Sequence, residues 1–236
     1  MKKFAFKVII VLSLLALAGT AMGWHDKTHI AVAKVAKYKM WYNAAAPDIA
    51  KIKAGNIEAY NHWYNNNKEA EVTPQTVINQ IPRYNKTDDP ADAEGHLYGA
   101  IIAALREYDQ SVKSDKYGEY HIVYCIHYIG DIAMPLHNIP YDDYNKNHHA
   151  VNDGIVEQEV LDHPEKIARR MYKITLGDNN FEADLIREIA RIANITRRLG
   201  YKLRIENRDM APEEAYIQLG HSASLARAVL KHYKNP

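Results

Sequence analysis

Cysteine is almost absent from this chain of 236 residues, in which Cys125 is the only one. A disulfide framework within the chain is therefore impossible. An excess of charge of either sign is also lacking. Three lysines fall within the first 23 residues, and the remainder holds 27 basic side chains against 29 acidic ones. Nucleic-acid binding through bulk positive charge alone is accordingly not expected.

Internal repeats and low-complexity tracts are also lacking, and the composition is that of a globular protein. Hydrophobic residues make up 47%, charged residues 25% and aromatic residues 10% of the chain. These proportions exclude a disordered, collagen-like or coiled-coil chain. The length is sufficient to bury a sizeable core in one domain, or at most two.

Residues 1–23 have the layout of a secretory signal peptide. A lysine-containing start precedes an apolar run at residues 8–18, and small side chains come just before Trp24. We expect cleavage after Gly23, so that the mature protein is secreted or periplasmic and has no permanent membrane anchor. The alternative is an uncleaved anchor, which needs a longer apolar run of roughly 20 residues. Residues 24–236 then form the functional domain.

Helical periodicity dominates the mature sequence, and no stretch alternates between apolar and polar residues for long enough to predict a sheet. We therefore predict an all-α fold, a single compact domain of seven helices. Pro135 ends the fourth of these helices, and Gly200 ends the sixth. The stretches 68–93 and 138–152 are predicted to be irregular. The predicted helices cover residues 26–41, 47 to the low sixties, 94–112, 119–133, 154–174, 181–199 and 212–233.

Histidine, by contrast, is plentiful, with 12 residues. His127 and Asp131 lie four residues apart on a predicted helix and therefore project from one face, one turn apart. The proline that ends this helix turns His137 back toward the same end, and His149 and Asp153 repeat the spacing. Nitrogen and oxygen donors of this kind suit zinc and do not exclude manganese or iron. The alternative is that these histidines are core residues and that each His–Asp pair is a solvated ion pair.

After cleavage, Trp24 offers its free α-amine and its own carbonyl oxygen as a five-membered chelate, and His29 follows within the first helical turns. With these residues the chain resembles the superfamily of zinc-dependent bacterial phospholipases C and single-strand-specific zinc nucleases. The resemblance covers residues 24–153, and its most specific part runs from His127 to His137. The matching ligand positions, in order, are Trp24, His29, His127, Asp131, His137, His149 and Asp153.

The superfamily pattern requires two further ligands between His29 and His127, an aspartate and then a histidine at a set distance. Asp48 and His62, which are 14 residues apart, have this spacing. A rival pairs His96 with a preceding aspartate, but its spacing is wrong, and His96 is better placed to begin a helix. The remaining alternative is that Asp48 only caps the second predicted helix. The rival aspartates are Asp88, Asp89 and Asp92.

The resemblance implies three zinc ions in a cleft between the helices. The first ion would be held by Asp48, His62, His127 and Asp131. The second would be held by the Trp24 amine and carbonyl, by His29, and by Asp131 as a bridging carboxylate. The third would be held by His137, His149 and Asp153, with His148 as an alternative to His149. The histidines without a place in the pattern are His25, His121, His163, His221 and His232.

These ligands predict a zinc-dependent phosphodiesterase. Zinc lowers the pKa of bound water from about 15.7 toward about 7, so that hydroxide is available at neutral pH to attack phosphorus in line. Asp48 would orient that water or accept its proton, and Asp131 would bridge the paired ions. The sequence contains no serine or cysteine nucleophile motif and no glycine-rich phosphate loop.

The ligands do not distinguish a nuclease from a phospholipase C. The spacing from Trp24 to His29 and the aspartate at position 153 slightly favour the nuclease branch, whereas the residues around Asp48 resemble the phospholipase branch. Trp63 would stack on a base or line a headgroup pocket, or else belong to the core. The expected substrate is therefore nucleic acid or, alternatively, phospholipid, and no protein partner is indicated. Two non-enzymatic alternatives are an export protein that sequesters zinc and a helical binding protein with incidental histidines.

Overall fold

The structure, a computed structural model, describes residues 24–234, and the predicted signal peptide at 1–23 lies outside this range. The predicted all-α class is confirmed, because the described residues form helices and connecting segments and no strand. They contain ten α-helices rather than the predicted seven, packed as one compact domain. The helices are α1 (Asp26–Val35), α2 (Ala46–Ala54), α3 (Asn56–Ala59), α4 (Pro74–Gln80), α5 (Leu97–Lys113), α6 (Glu119–Asp131), α7 (Asp143–Asp153), α8 (Pro164–Ala168), α9 (Phe181–Glu206) and α10 (Pro212–His232).

Helix α6 lies at the centre of the domain, with α5 as its most extensive neighbour. It is buried along almost its whole length, which is typical of a helix that is apolar on nearly every side. Ile126 and Ile129 belong to the main core cluster. A second cluster gathers around Trp24 and includes Leu136 and Tyr216. The Trp24 end of the described chain is therefore part of the interior.

The first helix is shorter than predicted and ends at Val35 instead of near Trp41. Lys37 adopts a left-handed backbone conformation with φ of 66°. The Tyr38 N–H then donates a hydrogen bond back to the Ala33 carbonyl oxygen at 3.0 Å. Such a left-handed residue with a returning hydrogen bond commonly ends a helix.

Both stretches predicted to be irregular contain a helix, so these two predictions are wrong. Within 138–152, α7 begins after Asp142, whose carboxylate accepts a hydrogen bond from the Asn145 N–H at 3.0 Å. Within 68–93, α4 begins after Thr73, whose hydroxyl caps the first turn. In each case a side-chain cap satisfies an N–H that would otherwise lack a partner.

The prediction of one continuous helix over residues 154–174 is also wrong. Turns occupy residues 154–162, and only the short α8 is helical within this stretch. Pro164 disfavours helical backbone at the residue before it, and His163 has φ −124° and ψ 46°, outside the helical region. A continuous helix through this point is therefore prevented.

Helix α9 passes through Gly200 and ends at Glu206, although we predicted that the glycine would end it. A Cβ at this position would lie only 3.0 Å from the Pro135 carbonyl oxygen and 2.9 Å from Ile139. Gly200 therefore allows α9 to pack against the short 3-10 turn that carries His137. Among residues 24–234 no helix, α9 included, combines the length and apolarity needed to cross a bilayer.

Candidate metal centre

The side chains predicted as metal ligands converge in one buried region. They form three groups, and within each group the donor atoms lie within 4.8 Å of one another. The first two groups share His127, and the third is joined to them because His137 Nδ1 lies 3.6 Å from Asp131 Oδ1. The groups are His29 with His127 and Asp131, Asp48 with His62 and His127, and His137 with His149 and Asp153.

Helix α6 supplies the two central side chains, His127 and Asp131, on one face as predicted. His127 Nδ1 donates a hydrogen bond to the Ala44 carbonyl oxygen at 2.7 Å. Its Nε2 is therefore the nitrogen that exchanges a proton for a cation, and it lies 3.3 Å from Asp131 and 3.7 Å from Asp48. A hydrogen bond to the outer ring nitrogen fixes the tautomer and raises the basicity of the inner nitrogen, which prepares it to bind a metal.

Asp131 is the carboxylate around which the histidines gather. His62 Nδ1 lies 3.0 Å from it, and His29 Nε2 lies 3.4 Å from it, on the other oxygen. Neither oxygen accepts a well-aligned hydrogen bond from the described residues. The arrangement, with imidazoles on both oxygens, is the one expected of a carboxylate that bridges two cations.

Gly130 allows α1 to come close enough to α6 for His29 to reach Asp131. A Cβ at position 130 would lie 2.5 Å from His29 Nδ1, so any other residue would displace the ring. With glycine there, the ring of His29 stacks on that of His127, with centroids 3.7 Å apart. Gly130, next to Asp131 in the sequence, thus permits the contact between α6 and His29 on α1.

The chain that follows Trp24 contacts the segment at the end of α7, which carries Asp153 of the third group. The His25 N–H donates to the Asp153 carbonyl oxygen at 3.4 Å. The buried carboxylate of Glu157 accepts hydrogen bonds from the N–H groups of residues 27 and 28, at 3.0 and 3.1 Å. A carboxylate at a helix amino terminus also interacts favourably with the positive end of the helix dipole, so Glu157 stabilises the start of α1. The residues that follow Trp24 are thereby fixed against the segment that carries Asp153 and Glu157.

His62 has a buried carboxylate on its outer side. Its Nδ1 faces Asp131, whereas its Nε2 lies 3.3 Å from Glu58 Oε1. Glu58 also accepts a hydrogen bond from the Tyr128 hydroxyl at 2.7 Å, which fixes the carboxylate. A carboxylate behind a histidine ligand orients the ring and increases its affinity for a metal.

The third group stands on the turn after α6 and on α7. His149 Nδ1 donates to Asn145 Oδ1 at 2.7 Å, and its Nε2 lies 3.4 Å from Asp153 Oδ2. The rings of His137 and His149 are 5.1 Å apart. The exposed Tyr141 lies edge-on to His149, with ring centroids 6.2 Å apart. The third group is therefore the one nearest to the solvent.

Burial and neighbouring charge shift the pKa values of the candidate ligands in different directions. Burial alone would lower the pKa of His127, but the carboxylates of Asp48 and Asp131 raise it to about 9. Burial lowers the pKa of His137 to about 4. Burial also raises the pKa of Asp153 well above its usual range. A cation at the centre would therefore replace protons on His127 and Asp153.

Several buried polar atoms of the candidate ligands form no hydrogen bond within residues 24–234. A buried polar atom without a partner costs about 1–3 kcal/mol, so their concentration in one region indicates a missing partner. A divalent cation that prefers nitrogen and oxygen donors fits these atoms. The atoms are both ring nitrogens of His29 and His137, both carboxylate oxygens of Asp131, Oδ2 of Asp48 and Oδ1 of Asp153.

The rival ligands lie outside the three groups. Asp92 forms a salt bridge with Arg83 at 2.7 Å, and His96 immediately precedes α5, as expected. His148 Nδ1 lies 2.7 Å from Asp209 Oδ1, so the ring faces the segment between α9 and α10 and not the third group. The five histidines without a place in the pattern are also outside these groups of described residues: His25, His121, His163, His221 and His232.

Trp63 directly follows His62 and is half-buried. Its ring packs edge-on against Tyr60, with centroids 5.9 Å apart, and its buried Nε1 forms no hydrogen bond with the described part of the chain. Gly95 allows the Trp63 main chain to approach, because a Cβ there would lie 2.0 Å from the Trp63 carbonyl oxygen. Its role in substrate binding stays a prediction.

Lys51 is a charged neighbour of the centre that our sequence analysis missed. It is only 7% exposed, and its Nζ lies 2.7 Å from Asp48 Oδ1. The two residues are three apart on α2 and therefore share a face. That spacing was visible in the sequence, as was the position of Glu58 four residues before His62. Neither spacing indicates burial by itself.

We expect the substitution Glu58→Gln to lower zinc affinity about 10- to 100-fold, because the carboxylate that orients His62 loses its charge. Competition with a chromogenic chelator measures this change. The matched control is Glu159→Gln, since Glu159 also accepts a tyrosine hydroxyl, from Tyr216 at 2.8 Å, but belongs to none of the three groups. Equal affinities in the two variants would contradict the role of Glu58.

No family model, curated protein or solved structure matches the chain. The likeness to zinc-dependent phospholipases C and zinc nucleases is therefore an expectation based on the order and spacing of the candidate ligands.

Proposed function

We propose that this protein is an exported, zinc-dependent phosphodiester hydrolase and that single-stranded nucleic acid is the first substrate to test. The observation that carries the proposal is the convergence of three buried histidine–aspartate groups, two of which share His127. Two neighbouring cation positions are the arrangement that clamps both the attacking and the leaving oxygen in phosphodiester cleavage.

The donor set supports zinc as the cofactor. All candidate side-chain donors are imidazole nitrogens and carboxylate oxygens, and Cys125 is buried in the main core cluster, outside the three groups. Such donors are common ligands of zinc in catalytic sites. The three groups would hold three ions, with the Trp24 amine and carbonyl completing the one at His29. When bound, zinc supplies Lewis acidity and a water whose pKa is near 7.

Asp48 is suited to orient the attacking water and to accept its proton. Burial would raise the pKa of Asp48, but His127, His29 and Lys51 lower it, so the carboxylate stays ionised at neutral pH. Lys51 occupies Oδ1, whereas Oδ2 accepts no hydrogen bond within residues 24–234. One oxygen of Asp48 is thus fixed by a cation, and the other is available to a water molecule.

Lys51 also argues against the alternative that this is an export protein that only sequesters zinc. A buried ammonium group beside the ligands repels cations and therefore weakens a site that only stores zinc. The same group would favour a phosphodiester, since its charge opposes that of the phosphoryl oxygens. Lys51 accordingly supports the enzyme over the storage protein. Phospholipid remains the second candidate substrate, favoured by exposed isoleucines on α2.

We expect chelation to abolish phosphodiester hydrolysis and added zinc to restore it, because the candidate ligands alone supply no activated water. The processed protein is assayed on single-stranded DNA, on RNA and on a phospholipid, before chelation, after it, and after zinc is restored. Manganese and iron salts serve as the comparison for metal identity. A fully zinc-loaded protein that cleaves none of these substrates would contradict the proposed function.

A further inference from the structure

Helix α2 exposes both of its isoleucines and buries two of its three charged side chains. Ile49 and Ile52 are 63% and 73% exposed, whereas Asp48 and Lys51 face the interior. Isoleucines three residues apart lie on one side of a helix, so they form a continuous apolar strip. The buried side of α2 is explained by the contacts of Asp48 and Lys51 at the candidate metal centre. Those contacts give no reason for isoleucines on the exposed side.

The apolar strip continues around the turn between α2 and α3. Every residue from 52 to 57 is exposed, and Ile57 is 51% exposed. Gly55 has φ of 60°, and a Cβ added to it would meet no atom within 4 Å. This segment, residues 49–57, therefore projects from the domain, and we call it the α2–α3 corner.

The exposed charged residues of the chain that leads into the α2–α3 corner and forms it are all positive. Lys53 is one turn from Ile49 on α2, and the other exposed charged residues between positions 34 and 57 are also lysines. The two acidic residues nearest in sequence, Asp48 and Glu58, are both buried. The lysines contrast with the near-neutral balance of the whole chain. The other exposed lysines are Lys34, Lys37 and Lys39.

We propose that the α2–α3 corner docks on an anionic phospholipid bilayer. Isoleucines that project beside lysines match a surface in which acyl chains lie beneath anionic headgroups. A second copy of this chain would place lysine against lysine, and a nucleic acid would leave the isoleucines in water. Aromatic residues that precede α2 in the sequence also suit a bilayer interface, since Tyr42 is exposed and Lys34 lies over the Trp41 ring.

Docking would bring the metal centre close to the bilayer, because Asp48 lies on the same helix as the inserted isoleucines. The proposal goes beyond the proposed hydrolysis and does not depend on it. Binding to vesicles can be measured on a protein that has lost its activity.

The test is co-sedimentation of the zinc-loaded, processed protein with vesicles of phosphatidylglycerol and phosphatidylcholine. We expect the double substitution Ile52→Gln and Ile57→Gln to reduce the partition coefficient about tenfold or more. The matched control is Ile205→Gln on α9, which replaces an isoleucine that is 83% exposed but distant in sequence from the corner. This control should bind like the unsubstituted protein.

Three results would overturn docking on an anionic bilayer: equal binding of the double variant and the unsubstituted protein, no binding by the latter, or equal binding to vesicles of phosphatidylcholine alone. A dimer in sedimentation velocity that the double substitution abolishes would assign the corner to a second copy. A loss of affinity for single-stranded DNA in the double variant would assign it to nucleic acid. The substitution Asp131→Asn should leave vesicle binding unchanged, so that a failure of hydrolysis and a failure of docking remain distinguishable.

Discussion

Replacement of Asp131 by Asn should remove two metal ions and abolish hydrolysis while the helical fold is retained. The carboxylate lies 3.0 Å from His62 Nδ1 and 3.4 Å from His29 Nε2, so it serves two of the three groups. Loss of one charged partner from a buried site costs about 3–5 kcal/mol, which corresponds to about 10²- to 10⁴-fold in affinity. Elemental analysis after dialysis gives the zinc content, and circular dichroism checks that the helices remain.

The matched control for this substitution is Asp92→Asn. Asp92 is also a buried carboxylate, but it pairs with Arg83 and belongs to none of the three groups. We expect the control to lose some stability and to keep both its zinc and its activity. An Asp131→Asn protein with full zinc content would exclude the bridging role of Asp131. Loss of zinc in the control would instead favour the rival ligands around His96.

The placement of His127 and Asp131 on one helix face was predictable from sequence because its geometry is local. A spacing of four residues places His127 and Asp131 on one face of any helix, whatever surrounds it. The same reasoning does not extend to Asp48 and His62, which lie on different elements. Their place beside His127 depends on how α2 and α3 pack, and it was expected only from the resemblance.

Helix α7 was missed because its sequence is almost entirely polar and shows no apolar face. Tertiary contacts hold it instead. The Asn152 side chain donates to Asp209 Oδ1 at 2.8 Å and accepts from the Met210 N–H at 2.7 Å. Asn145 donates to the Leu136 carbonyl oxygen at 2.8 Å. Contacts between distant segments of this kind leave no periodic signal in the sequence.

The orientation of α2, with Asp48 and Lys51 toward the interior, also could not be predicted from the sequence of this helix. A helix with isoleucines on one side and Asp48 and Lys51 on another is normally oriented with the isoleucines in the core. Here the histidines of the metal centre attract the carboxylate inward, and the lysine follows it at 2.7 Å. The electrostatics of the site therefore override the usual orientation, and the sequence of α2 alone contains no sign of the reversal.

A single residue retained before Trp24 should lower the zinc content by one ion. Cleavage after Gly23 would create an α-amine at Trp24, whereas a chain that retains Gly23 would have an amide nitrogen there, which does not bind zinc at neutral pH. The amine has a reference pKa of about 7.7–8.0 and binds metal only when unprotonated, so affinity for this ion should rise with pH up to that value. Elemental analysis at pH 8 compares proteins that begin at Gly23 and at Trp24.

The control for this prediction is a Trp24→Phe protein that begins at residue 24. It keeps the amine and the carbonyl oxygen, so it should bind as much zinc as the unsubstituted protein even though the loss of the buried indole lowers its stability. Equal zinc content with Gly23 retained would remove Trp24 from the ligands. His29 Nε2 and Asp131, which lie 3.4 Å apart, would then be the remaining protein ligands of that ion.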